Sequence, residues 1–503
     1  MLHKLKNHWS RPAGFREVLV IAIPLILSTG AHGLKTFTDR TFLTWYDSNA
    51  ISASMLAGMV AFTVMSLFQG VVGYVNTFVA QYTGAKRHDR VGHAVGQGVY
   101  LALLAGMVML LLIPFADYFF ALVGHSPQIQ QYESAYFKII CISATPALVS
   151  IAISCFFTGR GRTRLVMYIT LTGTALNIIL DYIMIFGKFG CPRLGIVGAA
   201  WATVLSATLQ MTLFLYFYLA PVYRHKYSTL KGIKPDRLLF ARMIRFGLPN
   251  GLHFFLSMIC WTLFFGLSGK VSETAMSATA VAMQINSLSF MPMFGFAMAV
   301  STLVGQRLGS DQPHLAQRST WSAFAMTGTY MTTLAVGYIA VPDLFIFPFS
   351  SNADPEQFNR IIPIIRTILL FVSVHAICNT ANMMFSSALK GAGDTRFVMI
   401  SSVSLGYLLM AIPAWIAVRA GAGIYTLWAL STLYMLTIAC VYFTRFILGK
   451  WKTMRVIESA PNAPPANAPS LPVDDIELPY PTDDTTDNPH EESHPQPVSK
   501  AQQ

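Results

Sequence analysis

The chain has 503 residues, of which 54% are hydrophobic and only 12% charged, with a formal net charge of +12. Soluble domains carry about 25% charged residues, so this composition excludes an ordinary soluble enzyme. Apolar runs long enough to span a bilayer, about 20 residues each, recur along the whole chain, and no train of short alternating segments marks a transmembrane β-barrel.

A polar, basic lead-in, MLHKLKNHWSRPAGFRE, precedes the first run, and no cleavable signal peptide is evident in it. Twelve spans follow, at about 17–42, 51–80, 94–118, 132–157, 165–187, 195–220, 240–268, 276–305, 317–346, 361–388, 397–418 and 423–446. The expected fold is an all-α polytopic membrane protein with twelve transmembrane helices. The N-terminus and the connections after even-numbered spans hold most of the 35 basic residues, among them Lys86, Arg87, Arg160, Arg162, Arg224, Lys226, Arg307 and Lys390. The opposite connections offer only Lys188, Arg193, Lys270, Arg360 and Arg419. By the positive-inside rule both termini are cytoplasmic, in the plasma (inner) membrane.

The chain repeats itself. IAIPLILSTG, from Ile21, is matched by RFGLPNGLHF, from Arg245, so that Pro24 and Pro249 lie 225 residues apart. GVVGYVNTFVAQ, from Gly70, aligns with GFAMAVSTLVGQ, from Gly295, again offset by 225. GRGRTR, from Gly159, matches GAGDTR, from Gly391, and LGIVG, from Leu194, echoes AGIYT, from Ala422. Four ordered matches at nearly constant offset indicate duplication. Each half holds six spans and starts on the same side, so the halves are parallel repeats. Two six-helix lobes around a central cleft are expected. The organisation reads as a cytoplasmic N-terminus (1–16), a first lobe (17–222), a solvated, membrane-skimming basic linker (223–239), a second lobe (240–450) and a disordered, acidic cytoplasmic tail (451–503).

The acids point to the chemistry. Most lie in connections, at span ends or in the tail; only Asp39 and Asp181 fall inside spans, both in the first half. An intramembrane carboxylate costs about 2.5–3.5 kcal/mol on insertion scales and normally faces a polar cavity. Asn177 precedes Asp181 by four residues, which puts both on one helix face. Asp39, Asn177, Asp181 and Thr203 fall at compatible depths in the outer half of the membrane. Together they form a candidate cation or proton site, since two carboxylates, an amide and a hydroxyl are hard oxygen ligands suited to Na⁺ or a shared proton. Such a pair titrates as a unit. Two structural alternatives stand beside this reading: Asp39 as an interfacial residue, paired with or snorkelling beside Arg40, and Asp181 bonded to Asn177. Gln81, Gln284 and Gln306, in or near spans 2 and 8, are candidates for the substrate cleft, with helix–helix hydrogen bonding as the alternative. Single intramembrane histidines, His253 and His375, are read as packing.

Other chemistry finds no foothold. The six cysteines are scattered with no CxxC pair, so packing outweighs metal or redox use. There is no HExxH or GxSxG, and an enzyme is not expected. GxGxTR lacks the P-loop Lys-Ser/Thr and reads as a turn. No cofactor is expected beyond a coupling ion; the expected partners are a small-molecule substrate, a coupling cation and the bilayer, for a monomer that does not bind nucleic acid.

The chain resembles the multidrug and toxic compound extrusion (MATE) family. The resemblance rests on IAIPLILS, Asp39, NTFVAQYTGAKR, LNIILDYIMIFGKFGCPRLGIVGAAWAT, FGLPNGL, FMPMFGFAMAVSTLVGQRLG and SSALKGAGDTRF, which in order cover nearly all of residues 15–445. It implies twelve helices in two lobes and secondary antiport of amphipathic, often cationic compounds against H⁺ or Na⁺. It also implies that Asp39, Asn177, Asp181 and Thr203 match a first-lobe cation site. Many relatives carry an acid eight residues after the span-7 proline and some carry one in span 10; here these positions are Ser257 and Asn379. A flippase for lipid-linked sugars on a related scaffold is the runner-up. It would favour a basic cleft, whereas the intramembrane bases here are few, chiefly Lys35, Arg40, Lys138 and Arg366.

Overall fold

A computed structural model describes residue 9 and residues 11–350 and 355–458. The first lobe contains α1 (Phe15–Tyr46), α2 (Ser48–Gly73) with its continuation α3 (Val75–Gly84), α4 (His88–Leu111) with the short α5 (Ala116–Val123), α6 (Pro127–Thr158), α7 (Thr163–Phe186) and α8 (Ile196–Tyr218). After a short α9 (Pro221–Lys226), the second lobe contains α10 (Arg237–Val271), α11 (Glu273–Gly309), α12 (Pro313–Ala340), α13 (Pro342–Ser350), α14 (Pro355–Ala392), α15 (Thr395–Leu405), α16 (Ile412–Arg419) and α17 (Ile424–Ile447). Among the described residues there are eleven helical spans long and apolar enough to cross a bilayer, and α12 with the start of α13 makes a twelfth only as a pair bent by 82°. The expected ninth span is therefore broken where Pro342 begins a new helix, because proline cannot continue the ladder of the helix before it.

Local sequence sets the ends. Proline opens α6, α9 and α12, where its missing N–H is no loss. Asp236 caps α10 by accepting from Leu239 N at 3.0 Å, and Ser272 caps α11 by accepting from Ala275 N at 3.0 Å. Gly187, at φ +68°, takes the left-handed conformation that terminates α7.

The two lobes carry the same contacts at equivalent positions. At the end of the bundle away from the basic connections, Lys138 pairs with Asp117 at 2.7 Å in the first lobe, and Arg366 pairs with Asp343 at 2.8 Å in the second. Two of the four intramembrane bases thus have acids of their own.

The lobes meet across a seam in the basic half. There, Arg307 pairs with Glu17 at 2.6 Å, and Asn76 Nδ2 donates to Thr302 Oγ1 at 2.9 Å. Asn250 Nδ2 donates to Gly70 O at 2.7 Å, and Thr29 Oγ1 donates to Met291 O at 3.4 Å. Glycines let the backbones touch: a Cβ on Gly70 would collide with Gly251, and one on Gly295 with Ile26. Small residues are the usual means of close helix approach in a membrane.

One helix belongs to both lobes. The basic half of α1 (Val18, Ile21, Ala22, Leu25) joins the hydrophobic core of the second lobe. Its other half turns to the first lobe, where Leu43 joins a separate core and the Phe42 ring packs on Tyr182 and Phe186 of α7.

Two segments expected to be solvated make specific contacts. The inter-lobe linker keeps most of its residues exposed but is pinned at several points. Gly92 N donates to Tyr227 O, Gln97 Nε2 donates to Lys234 O at 3.0 Å, and Tyr100 Oη donates to Ile233 O at 2.6 Å. Arg160 sits over the rings of Phe156, Tyr223 and Tyr227 within 4.1–4.7 Å, and burial in that aromatic box lowers its guanidinium pKa. Residues 451–457, assigned to the tail from sequence, are also packed: Trp451 stacks on Phe446, and Val456 is fully buried. The acidic stretch 459–503 lies outside the described residues.

Candidate cation and substrate site

α7 carries a single polar stripe. Thr170, Thr174, Asn177 and Asp181 follow at helical spacing, and all four are buried. The stripe faces α1. The two helices run parallel, with Ile21 near Gly161 at one end and Phe42 against Tyr182 and Phe186 at the other. This register sets Asp39 level with Asp181, and the two carboxylates act on each other electrostatically. α8 packs antiparallel on α7. Gly198 approaches Met184 and Ile185, and Gly173 approaches Gln210, which puts the half-buried Thr203 level with Asp181. The register therefore sets Asp39, Asp181 and Thr203 at about one level, with Asn177 one turn away on α7.

The polar atoms there are unpartnered. Asp181 Oδ1 and Oδ2, Asn177 Oδ1 and Nδ2, Thr174 Oγ1 and Asp39 Oδ1 are buried without a hydrogen-bond partner. An orphaned buried polar group costs about 1–3 kcal/mol. Six such atoms lie along this stripe and on the facing turn of α1, which makes it a candidate ligand-binding face. Asp181 and Asn177 do not bond each other, and Arg40 is exposed and makes no ion pair with Asp39 among the described residues, though it acts on Asp39 electrostatically.

Two residues join the site that sequence reasoning did not place in it. Lys35, one turn before Asp39 on α1, acts electrostatically on both carboxylates. Its signal was the four-residue spacing to Asp39. Tyr136 of α6 is buried and feels the charge of both carboxylates. Nothing local in the sequence marks it, because only the packing of α6 brings it there.

Two of the three glutamines make the helix–helix hydrogen bonds that stood as the alternative to a cleft role. Gln81 is fully buried and donates to Gly391 O at 3.0 Å; Gln306 donates to Gly159 O at 2.8 Å. Both amides are committed to the seam between the lobes. Gln284 alone of the three is exposed, on the half of α11 away from the seam. In the second lobe, His375 is buried with both ring nitrogens unpartnered, edge-on to Trp261 at 5.7 Å. Asn382 donates to Asn379 at 3.3 Å. His253 meets Lys390 at 3.3 Å. Among the described residues no acid enters this half of the bundle at the depth of Asp181; Phe264, the counterpart of Asp39, is fully buried in the apolar core.

Comparison with known proteins bears on the same residues. Solved structures share the fold. One, a MOP superfamily transporter from Pyrococcus furiosus described as having a binding pocket of reversed polarity, superposes with a TM-score of 0.80 at 18% identity over 90% of this chain and 99% of its own. Another, the outward-facing conformation of a multidrug resistance MATE family transporter, gives 0.79 at 19% identity over the same shares. Among curated sequences, the probable multidrug resistance protein NorM of Brucella suis is 26% identical over 427 residues, 84% of this chain and 90% of its own length. That of Thermotoga maritima is 26% identical over 465 residues, 88% and 94% respectively. The MatE family model matches residues 24–183 and 249–416, one block in each lobe, the first containing Asp39, Asn177 and Asp181. The chain belongs to the MatE family of transporters.

Proposed function

We infer that the protein is a multidrug efflux transporter working as a secondary antiporter. It expels amphipathic, cationic small molecules in exchange for H⁺ or Na⁺ bound at Asp39, Asn177, Asp181 and Thr203. The observation that carries this reading is the set of unpartnered buried oxygens on Asp181, Asn177 and Asp39, on facing turns of α7 and α1. A cation or proton is what such a set stabilises. The relatives named as multidrug resistance proteins support the substrate class.

α1 supplies the coupling. A cation held between Asp39 and Asp181 draws the far half of α1 onto α7. The other half of the same helix forms the seam with α11, through Glu17–Arg307 and Thr29–Met291. Cation occupancy therefore biases the two arrangements of the lobes by its difference in affinity for them. With the basic end cytoplasmic, a potential of 100 mV adds about 2.3 kcal/mol per charge moved.

Asp181→Asn, reconstituted in proteoliposomes, is expected to fold and to lose ion-driven dye exchange. Wild-type exchange rates in that variant would sink the reading. Imposing a Na⁺ gradient or a pH gradient separately identifies the coupling ion.

A further inference from the structure

We propose that Lys35 is the resident counter-ion of the Asp39–Asp181 pair and limits the site to one monovalent cation at a time. The proposal deepens the antiport reading and rests on it.

The geometry comes first. Lys35 and Asp39 are one turn apart on α1, so they share a face, and that face meets α7 at the level of Asp181. Lys35 is half-buried and acts on both carboxylates. No bond ties it to either: both oxygens of Asp181 and Oδ1 of Asp39 are unpartnered. An ammonium close to a carboxylate pair but not bonded to it neutralises one charge and leaves the oxygens free to bind a cation.

Neighbouring charges do not take over that duty. Lys138 and Arg366 are paired with Asp117 and Asp343. Arg40 acts on Asp39 but is exposed and does not reach Asp181. His32, one turn before Lys35, is exposed and faces the lysine. From α6, Tyr136 lies within electrostatic range of the pair and, as a neutral phenol, adds no charge. In the state with both carboxylates ionised, one ammonium leaves one surplus negative charge, the charge of a single monovalent cation. Two bare carboxylates would hold two, and the transporter would spend two ions per cycle.

The side chain also has somewhere to go. Lysine is a point charge on a flexible four-carbon stem, and His32 and Thr36 beside it are exposed. An entering cation can displace the ammonium along the helix without breaking a hydrogen bond. Arriving cation and departing lysine compete for the same oxygens, so affinity is held low enough for release.

The test uses the purified full chain. Lys35→Met keeps the length and removes the charge; Lys35→Arg keeps the charge. Equilibrium binding of ²²Na⁺ and uptake of protons are measured on each in detergent, so the readout does not require transport. Cations exchanged per dye molecule are then taken from reversal potentials in proteoliposomes. Lys35→Met is expected to bind the coupling ion at least about tenfold more tightly, the scale of one unit charge at partly buried depth, and to raise the ion count from one to two. Lys35→Arg is expected to match wild type within about twofold. Unchanged affinity in Lys35→Met overturns the proposal, as does equal loss of binding in both variants, which would make Lys35 a packing residue. Asp181→Asn separates the two readings: if it abolishes exchange while Lys35→Met changes nothing, antiport stands and the counter-ion falls.

Discussion

Gln81 and Gln306 make the same bond in opposite directions across the seam. Gln81 Nε2 donates to Gly391 O, and Gln306 Nε2 donates to Gly159 O. The glutamines are 225 residues apart in matching repeats, and each bonds the GxGxTR turn of the other lobe. The backbone is reciprocal as well: Gly84 lies against Gln306 O and Gly309 against Gln81 O. The duplicated sequence thus closes on itself about a pseudo-twofold axis.

Each glutamine bond is worth about 1 kcal/mol net, a factor of about five in a two-state population. Gln306→Ala is therefore expected to open the basic end of the seam about fivefold more often. Thr302→Cys, whose parent residue is fully buried beside Asn76, reports this in a background freed of native cysteines. Maleimide labelling should rise in Gln306→Ala and rise further in Gln81→Ala/Gln306→Ala. Equal labelling in all three backgrounds would remove the latch.

Gly84 and Gly309 have no room for a side chain, because a Cβ at either overlaps a carbonyl oxygen of the opposing helix. Overpacking of this kind costs about 1–3 kcal/mol. Gly84→Val and Gly309→Val should lower the thermal midpoint similarly and increase maleimide access to the seam. Gly328→Val, at a position with nothing within 4 Å, serves as the control that should change neither.

The orphaned amide of Asn177 predicts a trade of stability against function. Asn177→Leu removes two unpartnered buried atoms and fills the same space with carbon. Without ligand, the variant should be more stable than wild type by about 1–3 kcal/mol and should fail to exchange ions. A fall in thermal midpoint would mean the amide is structural.

The segment after α17 straps the lobes. Trp451 lies in the second-lobe core, Val456 in the first, Val456 N donates to Gln81 Oε1 at 2.8 Å, and Arg455 pairs with Asp311 at 2.9 Å. Ending the chain after Glu458 should leave stability and seam labelling unchanged. Trp451→Ala should cost about 3–5 kcal/mol, as for other buried tryptophans, and lower the thermal midpoint accordingly.

What could be read from the sequence was what depends on neighbours along the chain. Run length gave the helices, lysine and arginine placement gave the alternation of connections, and the constant offset gave the two lobes. Asp39 and Asp181 stood out because a carboxylate in an apolar run is costly wherever it lies. The four-residue steps from Asn177 to Asp181 and from Lys35 to Asp39 were equally legible, since one helical turn fixes them. Tertiary structure decided everything that crosses between helices. Tyr136 comes within electrostatic range of the carboxylates only because α6 packs near them, and Gln81 and Gln306 bond across the seam because glycines on the opposing helices brought backbone carbonyls within reach. Trp451 and Val456 look like the start of a polar tail until two cores are present to bury them. Hydropathy and charge are properties of a segment, whereas a binding site is a property of segments far apart in the chain, and only their packing decides which polar atoms find partners and which remain for a ligand.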